Sequence, residues 1–477
     1  MGSTDGQTST ERDVDVVVIG AGPVGENAAG RTAAAGLSTV MIEHELVGGE
    51  CSYWACIPSK ALLRPVEAVS AVRHVDGAVG GELDAAAVFA RRDSFTHDWD
   101  DSSQVEWAQS AGIDVLRGHA RLAGERVVEV AGPDGTTRLT AGYAVVVATG
   151  SVAAEPPIEG LADIPHWGSR EATSTHAVPA RLAILGGGVV GVEMAQVFLG
   201  LGSEVTVIND DRLLARAEPF AAELVADSLR EQGATVLAGQ RAGQVESTGD
   251  GVRLTLADGT AVEADRLLVA TGRKPATADL GLESVGLKPG QALAVDDQGL
   301  VDGVDGSWLY AVGDVNGRAP LTHQGKYQAR IVGSVIVARA KGELPAGPDA
   351  WTAYSLAADH TAVPQVVFSE PQVAWVGRTA AEAAAAGMRT RVVELDIAVA
   401  GSSLLRDGYT GRAAFVVDED RRVLVGVTFA GPDVAELLHS ATVAVVGEVP
   451  LDRLWHAVPS YPTISEVWLR FLEAYGL

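Results

Sequence analysis

Among its 477 residues the chain holds only two cysteines, Cys51 and Cys56, and they stand five apart. Two bystander thiols would rarely fall so close together. A secreted disulfide framework uses more of them, and a structural zinc site needs further sulfur or nearby histidine, so no metal site is read here. The chemistry that fits is a short-range redox couple: a disulfide that accepts two electrons and returns them as a dithiol. In a regular helix, residues five apart point about 140° away from each other, whereas a disulfide needs α-carbons within about 7 Å. The segment around Cys51 must therefore be irregular. Pro58 suits the start of a regular helix, whose positive end would favour a thiolate.

Two glycine fingerprints supply the elements around such a couple. The first, VDVVVIGAGPVG, sets Gly20, Gly22 and Gly25 after the apolar run Val14 to Ile19; the second, LAILGGGVVG, sets Gly186, Gly188 and Gly191 after another. Each leads into a helical stretch, which is the strand–turn–helix context that binds a pyrophosphate at a helix N-terminus. Glu43 closes the strand STVMIE after the first, and Asn209 closes EVTVIN at the same offset after the second. A carboxylate at that point accepts the hydroxyls of an adenosine ribose. Each half then returns to a strand ending in Ala-Thr-Gly, YAVVVATG at 143–150 and RLLVATG at 266–272. The chain therefore repeats itself, and an α/β fold with two Rossmann-like domains is expected.

The expected organisation is a disordered tail at 1–12, a first dinucleotide domain at 13–150 and 274–345, a second at 151–273, and an α+β segment at 346–477. The strand WLYAVGD (308–314) returns the chain to the first domain. Strands such as VPQVVF, RAAFVVD and VLVGVTF belong to the last segment, whose expected role is dimerisation. A formal charge of −26 argues against nucleic acid and acidic membranes; solubility or salt adaptation accounts for it. No apolar run reaches membrane-spanning length, and a cytoplasmic location is expected.

The stretch GGECSYWACIPSKALLRP (48–65), with both fingerprints, both Ala-Thr-Gly strands, the Gly313-Asp314 turn and the C-terminal PTISE, resembles the class I pyridine nucleotide–disulfide oxidoreductases. These are the relatives of lipoamide dehydrogenase, glutathione, mycothione and mercuric reductases. The resemblance implies FAD in the first domain, held by Gly20, Gly22, Gly25, Glu43, Thr149, Gly150 and Asp314. It implies a nicotinamide in the second, held by Gly186, Gly188, Gly191, Asn209, Arg212 and Gly272. It makes Cys56 the thiol that forms a charge-transfer pair with the flavin and Cys51 the interchange thiol that meets substrate. Lys60 and Glu193 become an ion pair beside the flavin edge that receives hydride. A homodimer follows, in which the C-terminal segment completes the partner's site.

One departure matters. Disulfide-reducing members end in a segment like H-P-T-x-S-E, whose histidine is the general acid and base; here Tyr461 stands in that position, while Glu466 is kept. An imidazole titrating near neutrality suits proton supply to a leaving thiolate, and a phenol with a pKa near 10 does not. His456 is the nearby alternative. The mercuric branch also lacks the histidine but carries extra C-terminal cysteines, which this chain does not have. Tyr53 and Trp54 make the redox loop bulky, either as a pocket for a planar acceptor or as packing. A neutral Asn209 with Arg212 and Arg216 close by leans towards NADPH over NADH, although Asp210 and Asp211 oppose it. The leading expectation is an FAD-dependent NAD(P)H oxidoreductase passing electrons through Cys51–Cys56 to a small disulfide or persulfide. The alternatives are a quinone-type acceptor reduced by the flavin directly, and a redox-inert flavin-binding assembly component.

Overall fold

The computed structural model describes residues 9–477. Most of the expected tail therefore lies outside the described residues. Its last part does not: the first strand runs Ser9–Ile19, because 9–13 continue the parallel backbone ladder against 136–140. Two compact units result. One comprises residues up to Ile57, Asp93–Ala153 and Arg273–His360; the other Pro58–Arg92, Ala154–Gly272 and Thr361–Leu477. The second unit takes in most of the expected second domain and of the α+β segment. Residues 58–92 join the second unit because Leu62, Leu63, Val88 and Phe89 pack in one core with Met194 and Phe198. Residues 346–360 join the first, where Leu356 N–H donates to Asp297 O and Tyr327 Oη donates to Ser355 O.

The first unit is built on a seven-stranded sheet. Ser9–Ile19 lies between Thr39–Glu43 and Gly135–Val147, parallel to both, and Ile113–Arg117 extends the Thr39–Glu43 side. Leu309–Ala311 pairs in parallel with the end of Gly135–Val147, so the chain does return to this sheet late in the sequence. Side chains alternate along a strand, and here both faces are covered. Val17, Ile19, Val40 and Ile42 point into one core; Val16, Val18 and Met41 point into another with Ala28, Ala29, Val332 and Ile336. Burial on both faces explains why these strands read as unbroken apolar runs.

The second unit repeats the plan on a smaller scale. A parallel sheet has the order Thr235–Ala238, Glu204–Asn209, Arg181–Leu185, Arg266–Val269. Leu182 and Ile184 face the core of the Val189–Gly200 helix, while Ala183 and Leu185 face the antiparallel meander of residues 242–264. A five-stranded antiparallel sheet follows, ordered Gln365–Val367, Gln372–Gly377, Val423–Gly431, Arg412–Asp418, Thr390–Asp396. The helices Leu438–Val446 and Val467–Tyr475 cover it, with Phe415 stacked on Phe471 at a centroid distance of 4.1 Å.

The two fingerprints share one steric rule. A Cβ on Gly25 would lie 1.9 Å from Gly20 O, and a Cβ on Gly191 would lie 1.9 Å from Gly186 O. These glycines let helix and strand approach. Gly22 differs, since a Cβ there would meet nothing nearer than Gly49 Cα at 4.0 Å. Gly25→Ala is expected to cost about 3 kcal/mol in urea denaturation, as overpacking does. Gly22→Ala is expected to stay within about 1 kcal/mol of wild type while losing FAD content, measured from the flavin-to-protein absorbance ratio of the purified protein.

Candidate functional site

Cys51 sits in a short helix, Gly49–Tyr53, and Cys56 begins a separate one, Cys56–Arg73. The break expected from the spacing falls at Trp54, whose φ of −137° is not helical. Turning the chain there brings two thiols five residues apart into hydrogen-bonding reach. Both are half-buried and free of any disulfide. Tyr53 resolves as packing: it is 2% exposed, and its carbonyl accepts from Trp99 Nε1.

The helix Thr322–Ala340 meets the pair end-on. Thr322, its first residue, has Oγ1 3.4 Å from Cys56 Sγ and also hydrogen-bonds Cys51. A buried polar network holds that helix end. Gln328 Oε1 accepts from Gly313 N–H at 2.8 Å and from Asn316 Nδ2 at 2.9 Å, and Gln328 Nε2 donates to Asp359 Oδ2 at 2.9 Å. Nothing in the cysteine motif pointed to Thr322; its only sequence signal is its place at the head of a long helix after the Asp314 turn. The Cys51 thiol is pushed far up by its hydrogen bond with Cys56, then by burial and by charge on Cys56, with Thr322 and Lys326 pulling the other way.

The groups expected to hold a flavin dinucleotide also lie in this unit. The Pro23–Ala34 helix starts behind Gly22 with no side-chain cap, leaving its first N–H groups for an anion. Glu43 is 7% exposed; its Oε2 accepts from Ala21 N–H and its Oε1 from His44 and Glu45 N–H. Three of about four carboxylate acceptor positions are used, which leaves room for a ribose hydroxyl. Asp314 Oδ2 accepts from Ser151 Oγ at 2.6 Å, and Arg273 Nε donates to that same Oγ at 2.7 Å. Thr149 Oγ1 donates to Ala276 O, and Gly150 takes a φ of +71°. The open cradle at Gly22, the uncapped helix and the set carboxylates fit FAD.

In the second unit the fingerprint helix Val189–Gly200 is likewise uncapped behind Gly188, and a Cβ on Gly188 would meet nothing within 4 Å. Asn209 Oδ1 accepts from Gly187 N–H at 2.9 Å, repeating with an amide what Glu43 does with a carboxylate. Gly272 takes a φ of +142° with open space at its Cβ. Arg212 is turned inward: its Nη2 donates to Ala215 O at 2.7 Å and Ala217 O at 2.9 Å. That nitrogen braces its own loop, while Nη1 is buried without a hydrogen-bond partner among the described residues. Lys60 Nζ lies 2.6 Å from Glu193 Oε2, and Phe368 N–H donates to Glu193 Oε1 at 3.1 Å. Glu193 is 3% exposed while Lys60 keeps about a third of its side chain in solvent, so this is a bonded pair and not a loose surface contact.

The two C-terminal candidates, Glu466 and Tyr461, stand apart. Glu466 is buried, and its Oε1 accepts from Arg470 one turn on in the Val467–Tyr475 helix. Tyr461 is 77% exposed, and among the described residues no hydrogen bond links it to Glu466. His456 is exposed as well. Among the described residues no cluster of His, Cys, Asp and Glu could hold a metal, and no helix is long and apolar enough to cross a membrane.

Residues 14–342 match the pyridine nucleotide-disulphide oxidoreductase family, and residues 363–470 match its dimerisation domain. The chain belongs to the pyridine nucleotide-disulphide oxidoreductases. Similar proteins include a dihydrolipoyl dehydrogenase of Chlamydia muridarum, 31% identical with 95% of each chain covered. A mercuric reductase of Acidithiobacillus ferrooxidans is 32% identical, with 97% of this chain and 83% of that one covered. Among solved structures, the HOCl-induced flavoprotein disulfide reductase RclA of Escherichia coli, in a Cu(II) complex, superposes with a TM-score of 0.83 at 25% identity. The superposition covers 97% of this chain and 99% of RclA. As a pyridine nucleotide-disulphide oxidoreductase, the protein is an FAD- and pyridine nucleotide-dependent enzyme acting through sulfur chemistry.

One group in the first unit was not singled out from the sequence. Glu26 follows the last fingerprint glycine, and burial pushes its carboxyl up to about 7 against the pull of the Lys326 ammonium. The only signal was a carboxylate opening a helix, which usually serves the helix dipole alone. Because its folded pKa exceeds the unfolded value, the stability it allows is complete at low pH and is lost as pH rises through about 7. That loss is about 3 kcal/mol. Glu26→Gln is expected to remove it. The melting temperature of the variant minus that of wild type should therefore rise between pH 5 and pH 8, and an unchanged difference would contradict this assignment.

Proposed function

We propose that this protein is a homodimeric enzyme that takes electrons from NADPH and delivers them, by way of FAD and the Cys51–Cys56 pair, to a small disulfide or persulfide. The observation that carries the reading is the pair itself: two thiols within reach of each other, with Thr322 Oγ1 3.4 Å from Cys56 Sγ. Bound FAD supplies the redox chemistry, accepting two electrons from the nicotinamide and handing them to the disulfide. The N–H groups behind Gly22 would hold its pyrophosphate, Glu43 its adenosine ribose and Asp314 its ribityl chain. The relatives named dihydrolipoyl dehydrogenase and flavoprotein disulfide reductase support sulfur as the acceptor atom.

This chain's residues then divide the work. Thr322 donates its hydroxyl proton to a Cys56 thiolate, and Cys51 keeps its proton until an acceptor arrives. Lys60, one turn after Cys56 on the same helix, is held by Glu193, which fixes its charge in place. Homodimerisation draws support from the matched dimerisation domain and from the exposed apolar side chains Val443, Trp455, Val458 and Tyr461. In that reading the segment bearing Tyr461 completes the partner's site. The domain roles follow: 13–150 with 274–345 for FAD, 151–273 for the nicotinamide, and 346–477 for the dimer.

The preference for NADPH rests on Asn209 being neutral and on Arg212, Arg216 and Arg241 close by, the last two exposed. Arg241 lies 3.5 Å from Asp210 and offsets part of the local negative charge. Glu43 shows how a carboxylate would be seated at position 209. Asn209→Glu is expected to lower the NADPH-to-NADH ratio of kcat/KM by about tenfold or more, roughly 1.4 kcal/mol; a wild type that prefers NADH would overturn the preference.

The thiol relay is tested by anaerobic titration with NADPH. Wild type is expected to take up four electrons and develop a long-wavelength absorption band from the Cys56 thiolate. Cys56→Ser should lose the band and fall by about a thousandfold in disulfide turnover. A Cys56→Ser protein that keeps full turnover with a quinone would instead make the flavin the direct donor.

A further inference from the structure

Each of the repeated Ala-Thr-Gly strands is followed by a polar residue, Ser151 after Gly150 and Arg273 after Gly272. The chain leaves the first unit after Ala153 and returns to it at Arg273. There Ser151–Ala153 and Arg273–Pro275 pair antiparallel as a two-stranded ribbon, with Ala153 opposite Arg273 and Ser151 opposite Pro275. Residues two apart along a strand share a face. Ser151 therefore lies diagonal to Arg273 on one side of the ribbon, within reach of a long side chain. The guanidinium uses that reach: Nε donates to Ser151 Oγ at 2.7 Å and Nη2 to Ser151 O at 2.6 Å. Nη2 also stands 3.5 Å from Glu50 Oε2, on the residue before Cys51.

We propose that Arg273 is a positioning residue for the flavin site: through Ser151 it fixes the Asp314 carboxylate for a ribityl hydroxyl, and it neutralises Glu50 beside the pyrophosphate cradle. This role rests on the flavin reading above, in which Asp314 holds the ribityl chain. The direction of the serine proton follows from donor and acceptor counts. A serine hydroxyl has one proton to give, and a guanidinium can only give protons. Because Arg273 Nε donates to Ser151 Oγ, the serine proton must point elsewhere, and the acceptor it meets is Asp314 Oδ2 at 2.6 Å. Ser151 is 9% exposed, so its hydroxyl has little water to turn to. Oδ2 is thereby taken, and Oδ1 is the oxygen left to accept from a ligand. If Arg273 only stapled the ribbon, its bond to Ser151 O would suffice and the hydroxyl would be dispensable.

The second arm concerns charge. Gly49 packs on the Gly22 cradle so closely that a Cβ on Gly49 would lie 2.8 Å from Gly22 Cα. Glu50 follows directly on that backbone, so the chain carries a carboxylate to the place where a pyrophosphate would bind. Like charges repel there unless a cation intervenes. Arg273 is that cation, and with Glu50 and Arg273 side chains 29% and 31% exposed, solvent screens the pair only in part. One guanidinium thus serves both ends of the flavin site. Its two actions are separable, because the first needs the Ser151 hydroxyl and the second needs the charge on Glu50.

The test follows FAD release from the purified holoenzyme, read as the rise of free-flavin fluorescence after dilution. Arg273→Met is expected to release FAD about thirtyfold faster than wild type and Ser151→Ala about tenfold faster, as loss of a charge-assisted hydrogen bond does. Ser151→Thr keeps the hydroxyl and should stay within about twofold of wild type. The double variant Arg273→Met/Ser151→Ala should be no more than about twofold faster than Arg273→Met alone, since coupled residues do not add. Glu50→Gln should leave wild type nearly unchanged but slow release about threefold in the Arg273→Met background, where its charge is uncompensated. Release within about twofold of wild type in both Arg273→Met and Ser151→Ala would overturn the proposal, as would fully multiplied effects in the double variant. A Ser151→Thr protein as fast as Ser151→Ala, or no slowing by Glu50→Gln, would overturn it too. If Arg273→Met fails to fold, the two Ser151 variants carry the decision. The flavin reading fails separately: wild-type release from Asp314→Ala takes Asp314 out of the flavin site. Fast release from Asp314→Ala, with Arg273→Met and Ser151→Ala unchanged, removes only the role of Arg273.

Discussion

The interruption of one helix at Trp54 is the constraint on which the redox centre depends. Five residues of continuous helix would hold Cys51 and Cys56 on diverging faces. Ending one helix at Tyr53 and starting another at Cys56 lets both sulfurs meet the head of a third, Thr322–Ala340. The positive end of that helix and the Thr322 hydroxyl then act on the same few atoms. The polar network of Gln328, Asn316 and Asp359 explains why the helix head stays put, since each buried polar group in it has its partner. Removing one would strand the others.

Around that centre the fold uses one solution twice. In both fingerprints the third glycine lets the helix press against the strand turn, and the second leaves space facing the ligand. In both, the residue ending the second strand ties back to a backbone N–H of the glycine turn, Glu43 to Ala21 and Asn209 to Gly187. The difference between a carboxylate and an amide at that point changes the local charge while the geometry is kept. This is how one scaffold is tuned for two nucleotides without being rebuilt.

Proton management is where this chain departs from the pattern it resembles. Glu466 is engaged by Arg470 on its own helix, and Tyr461 stands exposed. Thr322 and Lys326, both on the helix that begins with Thr322, are the polar and charged groups that act on Cys51. Sequence distance hides this: Lys326 stands 275 residues after Cys51.

By itself the sequence determined the fold class, the repeated nucleotide plan, the redox pair and the helix break, because each depends on local chemistry. Glycine spacing, alternation along strands and the separation of two thiols are short-range properties, and Val14–Ile19, Gly20–Gly25 and Cys51–Cys56 each carry their meaning within a dozen residues. Tertiary structure alone decided the rest. It turned Arg212 inward onto Ala215 and Ala217, buried Tyr53 as packing, and allotted residues 58–92 to the second unit through the core around Phe198. It also raised Glu26 to near neutrality and set Thr322 beside Cys56. A side chain's direction, its desolvation and its distant partners depend on long-range packing, and no local pattern of residue types encodes them.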